Sequence, residues 1–191
     1  MFEEKKPKSN PLLKYGNWLF LILIVLLLIA TVVFVSMQEH SGEGLYISEV
    51  MLSNSETLEE DSLGTPDWIE LYNASDSAIS LSGFGLSNHS SNAYLFTFPD
   101  VTIEPNSYLI VYFAGDTDST SSELLCTGFT LSRSGETLYL SSNTQEILEI
   151  LEVPALDTDV SYARRDDGSW GYCTRATPGY INSTEITDTI A

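Results

Sequence analysis

The sequence predicts an all-β domain, packed as a sandwich or barrel, carried behind a single apolar N-terminal helix. Three observations predict it. One long uncharged run lies near the N-terminus, and every lysine of the chain lies before it. Beyond the run, short stretches of β-branched and aromatic residues alternate with Gly, Pro, Asn, Asp and Ser, which is the pattern of many short strands joined by turns. The chain has 191 residues, enough for one anchored domain with a core of its own.

The apolar run Leu19–Val35 reads LFLILIVLLLIATVVFV, with no charge, Pro or Gly. Extended to residues 18–37, a helix would be about 30 Å long, the thickness of a bilayer hydrocarbon core. Backbone groups in lipid must bond within their own segment, so a helix is expected. Tyr15 and Trp18 stand at its near end, where amphipathic rings favour the interface. Lys5, Lys6, Lys8 and Lys14 precede it, and the next cation is Arg133. That asymmetry places residues 1–17 in the cytoplasm and the C-terminal portion outside the plasma membrane. The lipid bilayer is thus the partner expected for residues 18–37. A cleavable secretory signal has a shorter apolar region and a small-residue cleavage site, and Val33-Phe34-Val35-Ser36 does not supply one.

Residues 38–44 read as a polar linker. Strands are then expected over Leu45–Leu52, Trp68–Tyr72, Ala78–Leu81, Gly83–Leu86, Tyr94–Phe98, Tyr108–Phe113, Glu136–Leu140, Glu146–Leu151 and Val160–Ala163. In Trp68–Tyr72 the period of two puts Ile69 and Leu71 on one face and Glu70 on the other with Trp68 and Tyr72. Residues 53–66 read as an acidic loop. Turns are expected at Glu104-Pro105-Asn106, Ser134-Gly135, Asp166-Asp167-Gly168 and Thr177-Pro178-Gly179. The β-domain is expected over 45–182, with a polar tail over 183–191.

Several motifs, taken in order and spacing, carry a family resemblance. They are Tyr46-Ile-Ser-Glu-Val50, Asp67-Trp-Ile-Glu-Leu-Tyr-Asn73, Ile79-Ser-Leu-Ser-Gly-Phe-Gly-Leu86, Ile103-Glu-Pro-Asn-Ser-Tyr-Leu-Ile-Val111, Phe129-Thr-Leu-Ser-Arg-Ser-Gly-Glu-Thr-Leu-Tyr-Leu140 and Thr177-Pro-Gly-Tyr-Ile-Asn182. Through them, most of 45–182 resembles the lamin-tail domain, and the layout is similar to membrane-anchored bacterial members of that family. The resemblance implies an immunoglobulin-like β-sandwich and a binding or scaffolding role without catalytic residues. No heptad rod precedes the domain, which sets the chain apart from filament-forming lamins.

Composition narrows the chemistry. All but two of the 27 acidic residues, Glu3 and Glu4, follow the apolar run, against Arg133, Arg164, Arg165 and Arg175. Such a surface repels nucleic acid. The two histidines, His40 and His89, have no nucleophile or ligand spacing around them. No P-loop or dinucleotide glycine motif occurs, so no cofactor is expected. Asp116, Asp118 and Glu123 bring three carboxylates into one loop, which makes a weak Ca²⁺ candidate without the glycine and ligand spacing of an EF-hand. Cys126 and Cys173 are the only cysteines. Outside the membrane they can form a disulfide or remain two buried thiols. Arg164 and Arg165 stand out on so acidic a chain; pairing with nearby acids such as Glu70 or Asp166 is the plainer role, and gripping an anionic group on a partner the functional one.

Together these features lead to the expectation of a non-enzymatic, membrane-anchored module at the cell surface, binding another protein or an envelope polymer. The alternatives are an accessory subunit of a separately encoded envelope enzyme, or an envelope hydrolase, for which a catalytic constellation is missing.

Overall fold

The computed structural model describes residues 18, 20–29, 44–115, 120–182 and 184–189. The chain divides into two compact units, residues 1–40 and 41–191. In the first, Trp18 and residues 20–29 are helical and exposed. Up to Ile29 such a helix rises only about 18 Å, short of a bilayer core. No helix among the described residues is long and apolar enough to cross a membrane. The transmembrane expectation for 18–37 is therefore not supported by the fold, and its second half, with the linker up to residue 43, lies outside the described residues.

The second unit is built of β-strands in sheets, consistent with an immunoglobulin-like β-sandwich. Its strands are β1 (Leu45–Met51), β2 (Asp67–Asn73), β3 (Ile79–Ser80), β4 (Gly85–Ser87), β5 (Phe96–Thr97), β6 (Thr102–Ile103), β7 (Ser107–Phe113), β8 (Cys126–Thr127), β9 (Glu136–Ser141), β10 (Ile147–Val153), β11 (Ser161–Arg164) and β12 (Trp170–Cys173). The large sheet has the order β12-β11-β1-β2-β7-β8, the smaller one β10-β9-β4-β5, and β3 pairs with β6. All nine expected strands are present with shifted ends; β6, β8 and β12 were not expected.

Alternation explains which faces meet. The cross-strand pairs Val50↔Ile69 and Ile47↔Leu71 are fully buried in a core shared with Phe84, Leu86, Leu138 and Leu140. A bulge at Ser48 breaks the register between Ile47 and Glu49. That extra residue lets Ile47 and Val50 both face the core although three positions apart, and turns Glu49 to the opposite face beside Glu70. The expected turns form where their residues demand: Asn106, Gly135, Gly168 and Gly179 all have positive φ. In Thr177-Pro178-Gly179-Tyr180 the Tyr180 N–H donates to the Thr177 carbonyl at 3.0 Å, with Pro and left-handed Gly in the central positions.

Gly85 is needed for space. A Cβ there would lie 2.4 Å from Tyr94 Cδ1 and 2.5 Å from the Ala93 carbonyl. Gly85→Ala is expected to lower stability by about 1–3 kcal/mol, read as a lower urea midpoint; an unchanged midpoint would show that the β4–β5 loop yields freely.

Candidate functional site

A concave surface of the domain is built on a regular row of side chains. On the face of the large sheet away from the core, Tyr46 on β1 pairs with Tyr72 on β2, which pairs with Tyr108 on β7. Their ring centroids are 5.5 Å and 4.5 Å apart. Each ring is partly exposed. Strand register alone creates this ladder, because residues directly opposite on one face lie within reach of each other. The Arg164 guanidinium sits over the Tyr46 ring, 4.3 Å from its centroid.

Around the ladder, Arg165, the Asp166-Asp167-Gly168 turn, Ile181 and Asn182 complete a groove of about 430 Å³. The turn is closed by the Gly168 N–H donating to the Arg165 carbonyl at 2.9 Å and the Arg165 N–H to the Ser169 carbonyl at 2.7 Å. Asn182 closes the other side: its Nδ2 donates to the Ser48 and Arg164 carbonyls at 2.8 and 2.9 Å. Burial pushes the Tyr108 hydroxyl up to about 12, with Tyr72 and Glu70 adding to the shift. Burial likewise raises Tyr46, against the pull of Arg164. Both hydroxyls therefore remain neutral donors near neutral pH.

Beside the groove lies an unusual pair. Glu49 and Glu70 face each other across β1 and β2, and both are 0 % exposed. Glu70 Oε1 is 2.5 Å from Ser48 Oγ, and its Oε2 accepts the Gly179 N–H at 2.5 Å. Glu49 Oε1 is 2.5 Å from Ser161 Oγ, and its Oε2 accepts the Thr177 N–H at 3.2 Å. Desolvation drives Glu49 up to about 7 and Glu70 up to about 8. The two acids hold down the segment that follows β12, which crosses the outer face of the sheet as a strap. The sequence placed Glu70 on this face; burial under the strap was not legible, because the strap comes from the far end of the chain.

The four arginines are all paired. Arg133 meets Asp157 at 3.4 Å, Arg164 meets Glu149 at 3.2 Å, Arg165 meets Asp188 at 2.6 Å and Arg175 meets Glu185 at 3.7 Å. Pairing with acids is thus the observed arrangement, but the partners of Arg164 and Arg165 are not Glu70 or Asp166. Glu149 links the two sheets, since it also accepts the Ile47 N–H at 2.8 Å.

The remaining expected sites fare differently. Cys126 and Cys173 are free and buried, so the possible bridge is not formed. Register explains why: the row Cys173, Ser161, Met51, Trp68, Tyr112, Cys126 crosses the whole large sheet, following the β1–β11 register one position beyond its last pair. Five strand spacings separate the sulfurs by roughly 24 Å, far beyond disulfide reach. Asp116 and Asp118 lie outside the described residues, and Glu123 is exposed with its N–H donating to Ser121 Oγ at 3.2 Å. Among the described residues no group of three or more His, Cys, Asp or Glu side chains is placed to hold a metal ion. His89 is exposed in a bend shaped by Ser87, whose Oγ accepts the His89 N–H at 2.9 Å.

The family model described as Lamin Tail Domain matches residues 38–153. That range ends with β10, so β11, β12 and the strap lie beyond it. No curated protein matches the chain.

Proposed function

Because this chain belongs to the lamin-tail-domain family, we propose that it is a non-catalytic binding module whose tyrosine–arginine groove holds an extended partner at the cell surface. The tyrosine ladder carries this reading. Three partly exposed rings packed in one row, with Arg164 over the Tyr46 ring, offer ring edges and hydroxyl tips beside a guanidinium, a surface suited to the sugar rings of an envelope polymer. Asp166 and Asp167 border the groove opposite the ladder and offer acceptors to the partner's hydroxyls. The apolar segment 18–37 anchors the module in the plasma membrane, with the lysines of residues 1–17 inside. The acidic surface keeps the module from nucleic acid and from anionic headgroups.

Cosedimentation with isolated envelope polymer tests the groove. Tyr72→Ala removes the central rung and is expected to weaken retention at least tenfold while the urea midpoint shifts little, since the ring is partly exposed. Equal retention of Tyr72→Ala and the native chain would remove the groove from consideration. Protease added to intact cells reads the placement: the domain is expected to be digested and a tag at Met1 protected.

A further inference from the structure

We propose that the outer edge of β12 is a strand-addition site for a short extended acidic peptide of the pattern branched aliphatic–Thr–Asp, and that residues 185–189 are its resident, exchangeable occupant. This goes beyond the groove reading and does not rest on it. β12 ends the large sheet, and such an edge presents unpaired backbone groups. Here Thr187 pairs with Tyr172 in an antiparallel bridge. Each N–H donates to the other's carbonyl at 2.8 Å.

Two features shape the edge for one kind of segment. Gly171 leaves a hollow: a Cβ there would lie 2.6 Å from Ile186 Cγ2 and 2.6 Å from the Thr187 carbonyl. The missing side chain is what lets a branched aliphatic residue and its backbone come this close. Arg165 then reads the segment's polarity. Its Nη1 donates to the Trp170 carbonyl at 2.7 Å and its Nη2 to the Ile186 carbonyl at 3.3 Å and to Asp188 Oδ1 at 2.6 Å. One guanidinium thus ties the β12 backbone to the backbone and the carboxylate of the added strand.

The resident segment covers only part of the edge: its backbone makes one bridge along a four-residue strand. Further ties are side-chain contacts, from Arg165 to Ile186 and Asp188, from Arg175 to Glu185 at 3.7 Å and from the Thr187 hydroxyl to the Tyr172 carbonyl at 3.4 Å, and the Asp188 side chain is 89 % exposed despite its ion pair. A cavity of about 800 Å³ flanks the same edge, lined by the stacked Tyr162 and Trp170 rings with Tyr172, Glu136, Glu152 and Asp188. Exchange trades these ties for the same ones made by the partner, which is recognised by the same Gly171 hollow and Arg165 fork.

The test uses full-length protein and a fluorescent peptide of sequence Glu-Ile-Thr-Asp-Thr, followed by anisotropy. Ile186→Ala combined with Asp188→Ala loosens the resident segment and leaves the edge intact. This variant is expected to bind the peptide at least tenfold more tightly than the native chain, which must first release its own segment. A peptide with Asn in place of its Asp is expected to bind the variant at least tenfold more weakly. Adding Gly171→Val should abolish binding; if that protein fails to fold, Arg165→Gln in the same background should weaken it at least tenfold. Equal binding by native chain and variant, no binding by the variant, indifference to Asp or Asn, or full binding after the edge substitution would each overturn the proposal.

Discussion

At pH 9 the Glu70→Gln domain unfolds at a higher urea concentration than the native one, by the equivalent of about 3–5 kcal/mol, and at pH 4.5 the two are nearly alike. The reason is the burial of this acid beneath the strap. An unfolded glutamate releases its proton near 4.5, whereas Glu70 keeps its proton up to about 8 and Glu49 up to about 7. Between those values the native state holds protons that the unfolded state has given up. The stabilisation is therefore complete below about pH 4.5 and is lost as pH rises through 7 and 8. Among the described residues no cation is placed against either acid to oppose the loss. Glu70 faces Glu49 on β1 and Tyr108 on β7, Glu49 faces Cys173 on β12, and the four arginines pair elsewhere.

Gln has the size and shape of the neutral acid and cannot ionise, at the cost of one additional N–H. Ser48 Oγ meets Glu70 Oε1 and Ser161 Oγ meets Glu49 Oε1, each at 2.5 Å, and once the acid is protonated its O–H can donate across the same contact. The serines in turn donate to the Glu70 and Cys173 carbonyls, both at 3.3 Å. The free carboxyl oxygens still accept the N–H groups of Gly179 and Thr177. A glutamine amide can keep the donor to serine and the acceptor for the backbone N–H without a proton to lose. Urea midpoints at pH 4.5 and 9 check this, with Glu49→Gln/Glu70→Gln as the control that loses most of this dependence, the remainder coming from groups such as Asp67 and Glu149, which burial also raises. Native stability that is flat or rising across that range would sink the account.

Phe84→Ala is expected to destabilise the domain by about 3–5 kcal/mol, the cost of deleting a fully enclosed ring and leaving a cavity. Phe84 is 0 % exposed, belongs to the core cluster and directly precedes β4. Its N–H donates to the Leu81 carbonyl at 2.8 Å, and its carbonyl accepts the Phe98 N–H at 2.9 Å. The backbone on both sides is thereby fixed, so the walls cannot collapse into the space. Phe84→Leu, which retains most of the volume, is expected to cost less than half as much. Chemical denaturation of both variants checks the pair, and equal losses would point to backbone disruption in place of a cavity.

Much of this fold could be read from residue order. Trp68–Tyr72 alternates cleanly, and the structure bears out its two faces. The turns were legible because Asn106, Gly135, Gly168 and Gly179 are residue types that accept positive φ at little cost. β6 and β8 were hidden because two residues carry no period, and β12 because Trp170-Gly-Tyr-Cys is short and contains a glycine. The site was harder. Tyr46, Tyr72 and Tyr108 all fell in expected strands, yet only pairing register aligns them, and the Ser48 bulge that helps set it has no local signal. The partners of Arg164 and Arg165 stayed hidden for the same reason: Glu149 arrives from the other sheet and Asp188 from the tail.

The strap also bears on the order in which the molecule can mature. Ser48 and Asn182, 134 positions apart, are joined by one bond, and Thr177 reaches Glu49 across 128. β1 lies in the middle of its sheet, yet its neighbour β11 is among the last strands to be synthesised. A nascent chain emerging N-terminus first must hold β1 half-paired until its final quarter appears. A chain that ended between β2 and residue 177 would leave these two acids uncovered at the centre of an unfinished sheet.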